Sequence, residues 1–366
     1  MPKIRSTTSS SVLDLAEVAT TTVNSALNST TKDMWGFPYD RALSNPYGQY
    51  LYDTYYGKGV QFEIILPPIL YIILMFLSYF GNGMIVLSTI KNKNLHGSYN
   101  ILMCMGCIGD MMHQSCHWVY SVNMFSGNNF IPYNLCFYTQ AFFQTGASLS
   151  VLMTFFVGVD RLIGVALPTT YRQLNYWLYI GAMFLITAAF ALYDLSLAWT
   201  HVYTEYGGEP VMCVIIDSMG GEAANTWFVM CVIVNAMDVV IYGAVWATLK
   251  FKTGTSDAMK KVFKSLLVIM CFVFFGWMLN AFVRSVLLVY FNIPIEEWFY
   301  YASYFGLCAN IASTSNFAVL YIFSSEYRAT FQRLLGPIFP CMRPKQDEKL
   351  FFNTPSTITV SATPSK

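Results

Sequence analysis

Residues 155–174 read FFVGVDRLIGVALPTTYRQL, an apolar run that turns polar, with a carboxylate and a guanidinium side by side at the join, Asp160 and Arg161. On a soluble protein such a pair at a helix end contributes only about 0–1 kcal/mol. Partly dehydrated, the same pair can bias a two-state equilibrium of a few kcal/mol. The solvent around that helix therefore decides its meaning. Of the 366 residues 55% are hydrophobic and 11% charged, against roughly a quarter charged in an ordinary soluble domain. The chain reads as a membrane protein. Its net charge of +1 says little about partners, and nine cysteines, an odd number, argue against a full disulfide framework.

Seven apolar stretches are long enough for helices that cross a bilayer, near 63–90, 98–125, 135–165, 176–200, 223–249, 262–290 and 298–323. Ahead of them, residues 1–62 are a polar segment without the apolar core of a signal peptide. Lys and Arg orient the bundle. Lys91, Lys93, Arg161, Arg172, Lys250, Lys252, Lys260 and Lys261 lie on one side together with the tail, whereas 126–134, 201–222 and 291–297 contain neither residue. The expected topology is a multi-pass plasma-membrane protein with its N-terminus extracellular and its C-terminus cytoplasmic. Asn28, in the sequon Asn28-Ser29-Thr30, is then a candidate for glycosylation.

Ionisable residues inside spans are costly and are functional candidates by default. Asp110, Asp194, Asp238 and Arg284 are such residues. His113, Cys116 and His117 share a helical face, but membrane packing or pocket lining is a better reading than a metal site, and no metal or cofactor is expected. Phe323, Tyr327, Phe331 and Leu334 alternate with Arg328 and Arg333, as in an amphipathic helix on a membrane surface at 324–336. Cys341 is a lipidation candidate, and 337–366 has the composition of a disordered tail rich in Ser and Thr.

Gly81-Asn82, Asn100 with Asp110, Cys136, Asp160-Arg161 with Pro168 seven residues on, and the closing YIFSSEYRATFQRLL resemble the rhodopsin-like G-protein-coupled receptors in order and spacing. LHGSYNIL, IPYNLCF, GVDRLIGVALPTTYRQLN and YIFSSEYR further resemble the nematode Srsx serpentine chemoreceptors. The resemblance covers about residues 62–336. It implies an all-α seven-transmembrane bundle and a coupling switch at Asp160, Arg161, Tyr242 and Tyr321. It also implies an intramembrane network of Asn82, Asp110 and Asn316, and a Cys136–Cys213 disulfide. The pocket among the outer halves of the spans takes His117, Trp118, Tyr120, Phe143, Gln144, Trp277, Asn280, Arg284, Tyr300, Tyr301 and Tyr304 as candidates. Amine receptors of the family carry Asp where this chain has Phe143, so a monoamine ligand is not expected. Arg284 would suit an acidic group of the ligand or, alternatively, pair with Glu296 or Glu297.

The family's prolines in spans five, six and seven are absent, which puts its usual hinge in doubt. A retinal-binding opsin is excluded, because no Lys lies between Lys264 and Lys345. A transporter should show a repeat or broken helices, and a membrane hydrolase a cluster of metal ligands; the sequence shows neither. The expected function is a chemosensory receptor for a small molecule, not an enzyme, with a neuropeptide receptor as the alternative. The expected partners are an extracellular ligand, a heterotrimeric G protein, arrestin through the Ser/Thr tail, and membrane lipid, with no nucleic acid.

Overall fold

The computed structural model describes residues 35–37, 43–203, 207–251, 257–284, 290–291 and 293–340. Asn28, Cys341 and the Ser/Thr tail lie outside the described residues. Helices dominate: α1 (Pro46–Tyr55), α2 (Phe62–Lys91), α3 (Ser98–Ser115), α4 (His117–Ser126), α5 (Tyr133–Ala166), α6 (Pro168–Gln173), α7 (Tyr176–His201), α8 (Glu222–Phe251), α9 (Asp257–Phe282), α10 (Trp298–Phe323) and α11 (Ser325–Leu335). By length and composition, α2, α5, α7, α8 and the helical stretch ending in α10 can each cross a membrane. The apolar part of α9, Leu267–Phe282, is shorter.

The expected second span is not one continuous helix. It breaks at Cys116, whose N–H bonds to His113 O at 3.1 Å, a tighter turn than the α-helical one. Ser115 Oγ bonds back to Met111 O at 2.8 Å just before the break, a contact that bends helices. The break rotates α4 relative to α3.

Two glycines set the tightest crossing of the bundle. A Cβ on Gly109 of α3 would lie 2.6 Å from Ser150 N, and one on Gly146 of α5 would lie 2.6 Å from Gly109 O. The backbones of α3 and α5 therefore touch, the close approach that small residues permit between membrane helices. One large apolar cluster fills the interior, with Leu102, Val151, Trp227, Trp277 and Leu320 among its buried members. A second cluster lies at the end of the bundle where α5 begins. There Leu51, Tyr52 and Tyr55 of α1 pack with Tyr71, Tyr120, Met212 and Phe299.

At that same end two short strands, β1 (Ile131–Pro132) and β2 (Pro210–Val211), pair antiparallel. Beside them Cys136 and Cys213 form a disulfide across 77 residues of sequence. Closing a loop of that length stabilises by about 4.5 kcal/mol on a chain-entropy basis. Cys104 and Cys107, spaced C-x-x-C within α3, are free and buried, as are Cys116 and Cys231. At the opposite end α11 returns to the core. Phe331 lies 4.6 Å from the Phe317 ring of α10, and Asn92 Nδ2 donates to Thr330 Oγ1 at 2.9 Å.

The backbone contact predicts intolerance to volume at this crossing. Gly146→Leu should cut the yield of correctly folded protein sharply, whereas Gly181→Leu, where an added Cβ meets nothing within 4 Å, should leave it near normal. Detergent-extracted yield by size-exclusion chromatography checks this; equal yields would contradict it.

Candidate functional site

The two ends of the bundle carry different chemistry, joined by α5. At the end where α5 begins, a cavity of about 90 Å³ is lined by residues of α1, α2, α3, α4, α5, α8, α9 and α10, by Arg284 just beyond α9, and by the 207–221 connection. Its wall is aromatic. The Tyr71 ring stacks on His117 at 4.3 Å, His113 lies 5.3 Å from Trp277, and Trp277 lies 5.1 Å from Trp227. Hydrogen bonds hold the rings in place: Tyr71 OH donates to Ser303 O at 2.6 Å, and His117 Nε2 meets Asn310 Oδ1 at 2.7 Å.

Of the sequence candidates, His117, Tyr120, Trp277, Asn280 and Arg284 line this cavity. Trp118, Phe143, Tyr300, Tyr301 and Tyr304 do not. Trp118 is exposed and meets Phe76 edge to face, Phe143 packs on Phe142, and Tyr304 faces outward. Gln144 is buried just outside the wall, where it donates to Asp194 Oδ2 at 3.0 Å and accepts from Ser218 Oγ at 2.9 Å. Tyr71, His113, Met212, Asp217 and Trp227 also line it, as does Tyr47 of α1.

The α1 helix covers the mouth. Asn45 caps it, its side chain accepting from Tyr47 N, and Pro46 occupies the first turn, where its missing N–H costs nothing. Ser44 Oγ donates to Glu209 Oε2 at 3.0 Å, and Asn129 Nδ2 donates to Tyr55 O and Gly59 O at 3.1 and 2.9 Å. Above the cavity lies an outer one of about 480 Å³, bordered by Ser44, His201 and Glu209. Tyr47, Leu51, Met212, Ile216, Asp217 and Arg284 line both and form the neck between them. Burial holds the Asp217 carboxyl up at about 6, with the Arg284 charge pulling it back down.

Midway along α5 a polar network crosses the core. Asp110 accepts from Ser150 Oγ at 2.5 Å and from Asn316 Nδ2 at 2.8 Å; Asn316 Nδ2 also lies 3.3 Å from Asn82 Oδ1. Asn82 Nδ2 donates to Ser313 O at 3.0 Å. This joins α2, α3, α5 and α10.

At the far end of α5, Asp160 is fully buried and surrounded by donors. Ser98 Oγ donates to it at 2.7 Å, Tyr171 OH at 3.0 Å and Arg161 Nε at 2.9 Å, and the second Arg161 nitrogen closes an ion pair. Arg161 also donates to Tyr171 OH at 3.0 Å and lies over the Tyr99 ring at 4.2 Å. The Tyr242 ring packs on Gly158, where an added Cβ would meet it at 2.8 Å. Tyr321 stacks on Phe317 at 6.2 Å, beside the cluster's neighbours rather than in it. Ser98, Tyr99 and Tyr171 were not sequence candidates. Pro168 held the clue, since proline at the start of a short helix places Tyr171 on its first turn, facing back.

The chain belongs to the serpentine type 7TM GPCR chemoreceptor Srsx family, whose model matches residues 75–335. No curated protein matches it. With its apolar helices, this makes it a multi-pass membrane protein of a chemoreceptor class, a receptor class that is generally not enzymatic.

If α1 is a cover, Tyr47→Ala should open the neck. A thiol placed by Met212→Cys should then react severalfold faster with a bulky water-soluble maleimide than it does with Tyr47 intact. An unchanged rate would show that the mouth is already open.

Proposed function

We propose that the chain is a seven-span chemosensory receptor that couples binding of a small molecule in the inner cavity to a heterotrimeric G protein at the Arg161 end. The seven spans are α2, α3 with α4, α5, α7, α8, α9 and α10. The cavity and disulfide end is extracellular and the Arg161 end cytoplasmic, in keeping with the Lys/Arg distribution, and the receptor resides in the plasma membrane. The cytoplasmic tail takes phosphates that recruit arrestin, and α11 lies along the inner membrane surface.

One observation carries the reading: α5 bears both ends of the device. Ala147 lines the cavity and Asp160 holds the ion pair. Thirteen residues separate them, about 20 Å of helix, with the Asp110–Ser150 contact between. Displacement of α5 or its partners at the cavity has a rigid route to Asp160. There Arg161 is held by a carboxylate that two other donors, Ser98 and Tyr171, also claim, so its release disturbs α3, α5 and α6 together. The narrow, covered cavity favours a small molecule over a peptide.

Removing one partner of a buried pair leaves the other uncompensated, at a cost of about 3–5 kcal/mol. Arg161→Ala alone should therefore lower expression as well as coupling. In an Asp160→Asn background no buried carboxylate is stranded, so the same change should abolish receptor-driven nucleotide exchange at near-normal surface levels. Asp160→Asn by itself should raise basal exchange. Exchange assays normalised to surface receptor check this; coupling retained in the double variant would refute the assignment of Arg161.

A further inference from the structure

Several polar atoms of the inner cavity are left unfilled among the described residues, His113 Nδ1 being one. Tyr120 OH and Trp277 Nε1 are buried without a partner among the described residues, and both side chains line the cavity. The indole N–H can only donate. At the neck Arg284 makes no hydrogen bond or ion pair among the described residues; its guanidinium lies 5.9 Å from the centre of the Phe228 ring. Asp217 lies near enough to feel its charge, yet the guanidinium donors are left unfilled among the described residues and can take a further anion. The acceptor at the neck, Asp217, already takes Val214 N–H at 3.1 Å.

We propose that the cavity takes a small monocarboxylic acid, its apolar body among the Tyr71, His117, Trp227 and Trp277 rings and its carboxylate on Arg284 at the neck. The inference rests on the reading of this cavity as the receptor's ligand site. A carboxylate suits the planar guanidinium fork. A doubly charged phosphate does not suit a neck where one cation is opposed by Asp217. Oxygen atoms elsewhere on the molecule would meet Trp277 Nε1 and Tyr120 OH. An acid longer than the inner cavity extends past Arg284 into the outer one, beneath α1.

Asp217 sets the strength of the contact. Its charged and titratable neighbours are Arg284 just beyond α9, Tyr47 from α1, Tyr120 from α4 and Tyr133 from α5, with His201 and Glu209 across the outer cavity. Ionised, Asp217 competes for Arg284. Because its carboxyl titrates at about 6, acidification through that value removes the competitor while a simple carboxylic acid stays largely ionised. Binding of the acid therefore tightens as pH falls, and Asp217→Asn should reproduce the tightening at neutral pH.

The test uses the full chain in lipid nanodiscs, with phenylacetate, 4-phenylbutyrate and octanoate as probes, each beside its methyl ester and the matching primary amine. Binding is read by thermal shift and by tryptophan fluorescence. At least one acid should bind roughly tenfold to a hundredfold tighter than its ester, the worth of one charge-assisted contact. Arg284→Gln should erase that preference, and Arg284→Lys should keep much of it in a protein of normal stability. Equal binding of acid and ester, preference for the amine, or no binding by any of the three acids would overturn the inference. Acid binding that depends on Arg284 but drives no nucleotide exchange would leave it standing and count against the receptor reading. Exchange driven by esters or amines alone would do the reverse.

Discussion

The burial of Asp160 constrains everything around it. A carboxylate taken out of water must be met by donors, and the chain supplies them from three elements: Ser98 at the start of α3, Arg161 beside it on α5, and Tyr171 from α6. The ion pair is thus a knot of two helix ends and a connection, not a surface ornament. Its worth lies less in net stability, which buried pairs supply poorly, than in fixing one arrangement. A motion that frees Arg161 leaves Asp160 to Ser98 and Tyr171, so on the proposed reading the arrangement of these contacts sets the state of this end of the bundle.

The same economy appears along α5. Gly146 lets α3 approach to backbone contact, and that approach places Asp110 against Ser150. One turn toward the disulfide end, Gln144 ties α5 to α7 and the 207–221 connection. The helix is held by polar contacts at three depths, each to different neighbours. These contacts tie α5 to its neighbours between the aromatic cavity at one end and the Asp160 ion pair at the other.

Much of this was legible in the chain. The disulfide, the Asp110 network and the Asp160–Arg161 pair were what the family resemblance implied, and these residues are in contact. The pocket was legible only in part. In a membrane helix both faces are apolar, so the hydrophobic period that tells inside from outside in a soluble helix is muted. Trp118 and His117 are adjacent in sequence, yet only the turn at Cys116 decides which one faces the cavity. The cover formed by α1, and the contacts of Asp217 and Ser98, come from segments distant in sequence, where no local pattern announces a contact. The N-terminal segment was read only as polar and extracellular, yet Tyr52 and Tyr55 in it are core residues.

The central claim is that the Asp160 knot holds one end of the bundle in a single arrangement. Spin labels at Arg172, on α6, and Lys264, on α9, are both exposed and report the spacing of those elements by pulsed electron resonance. The account predicts a single narrow distance in the otherwise unaltered chain. Replacing Asp160 by Asn, or Ser98 and Tyr171 together by Ala and Phe, should add a second, longer population. A distribution that is equally narrow and unshifted in both variants would contradict it.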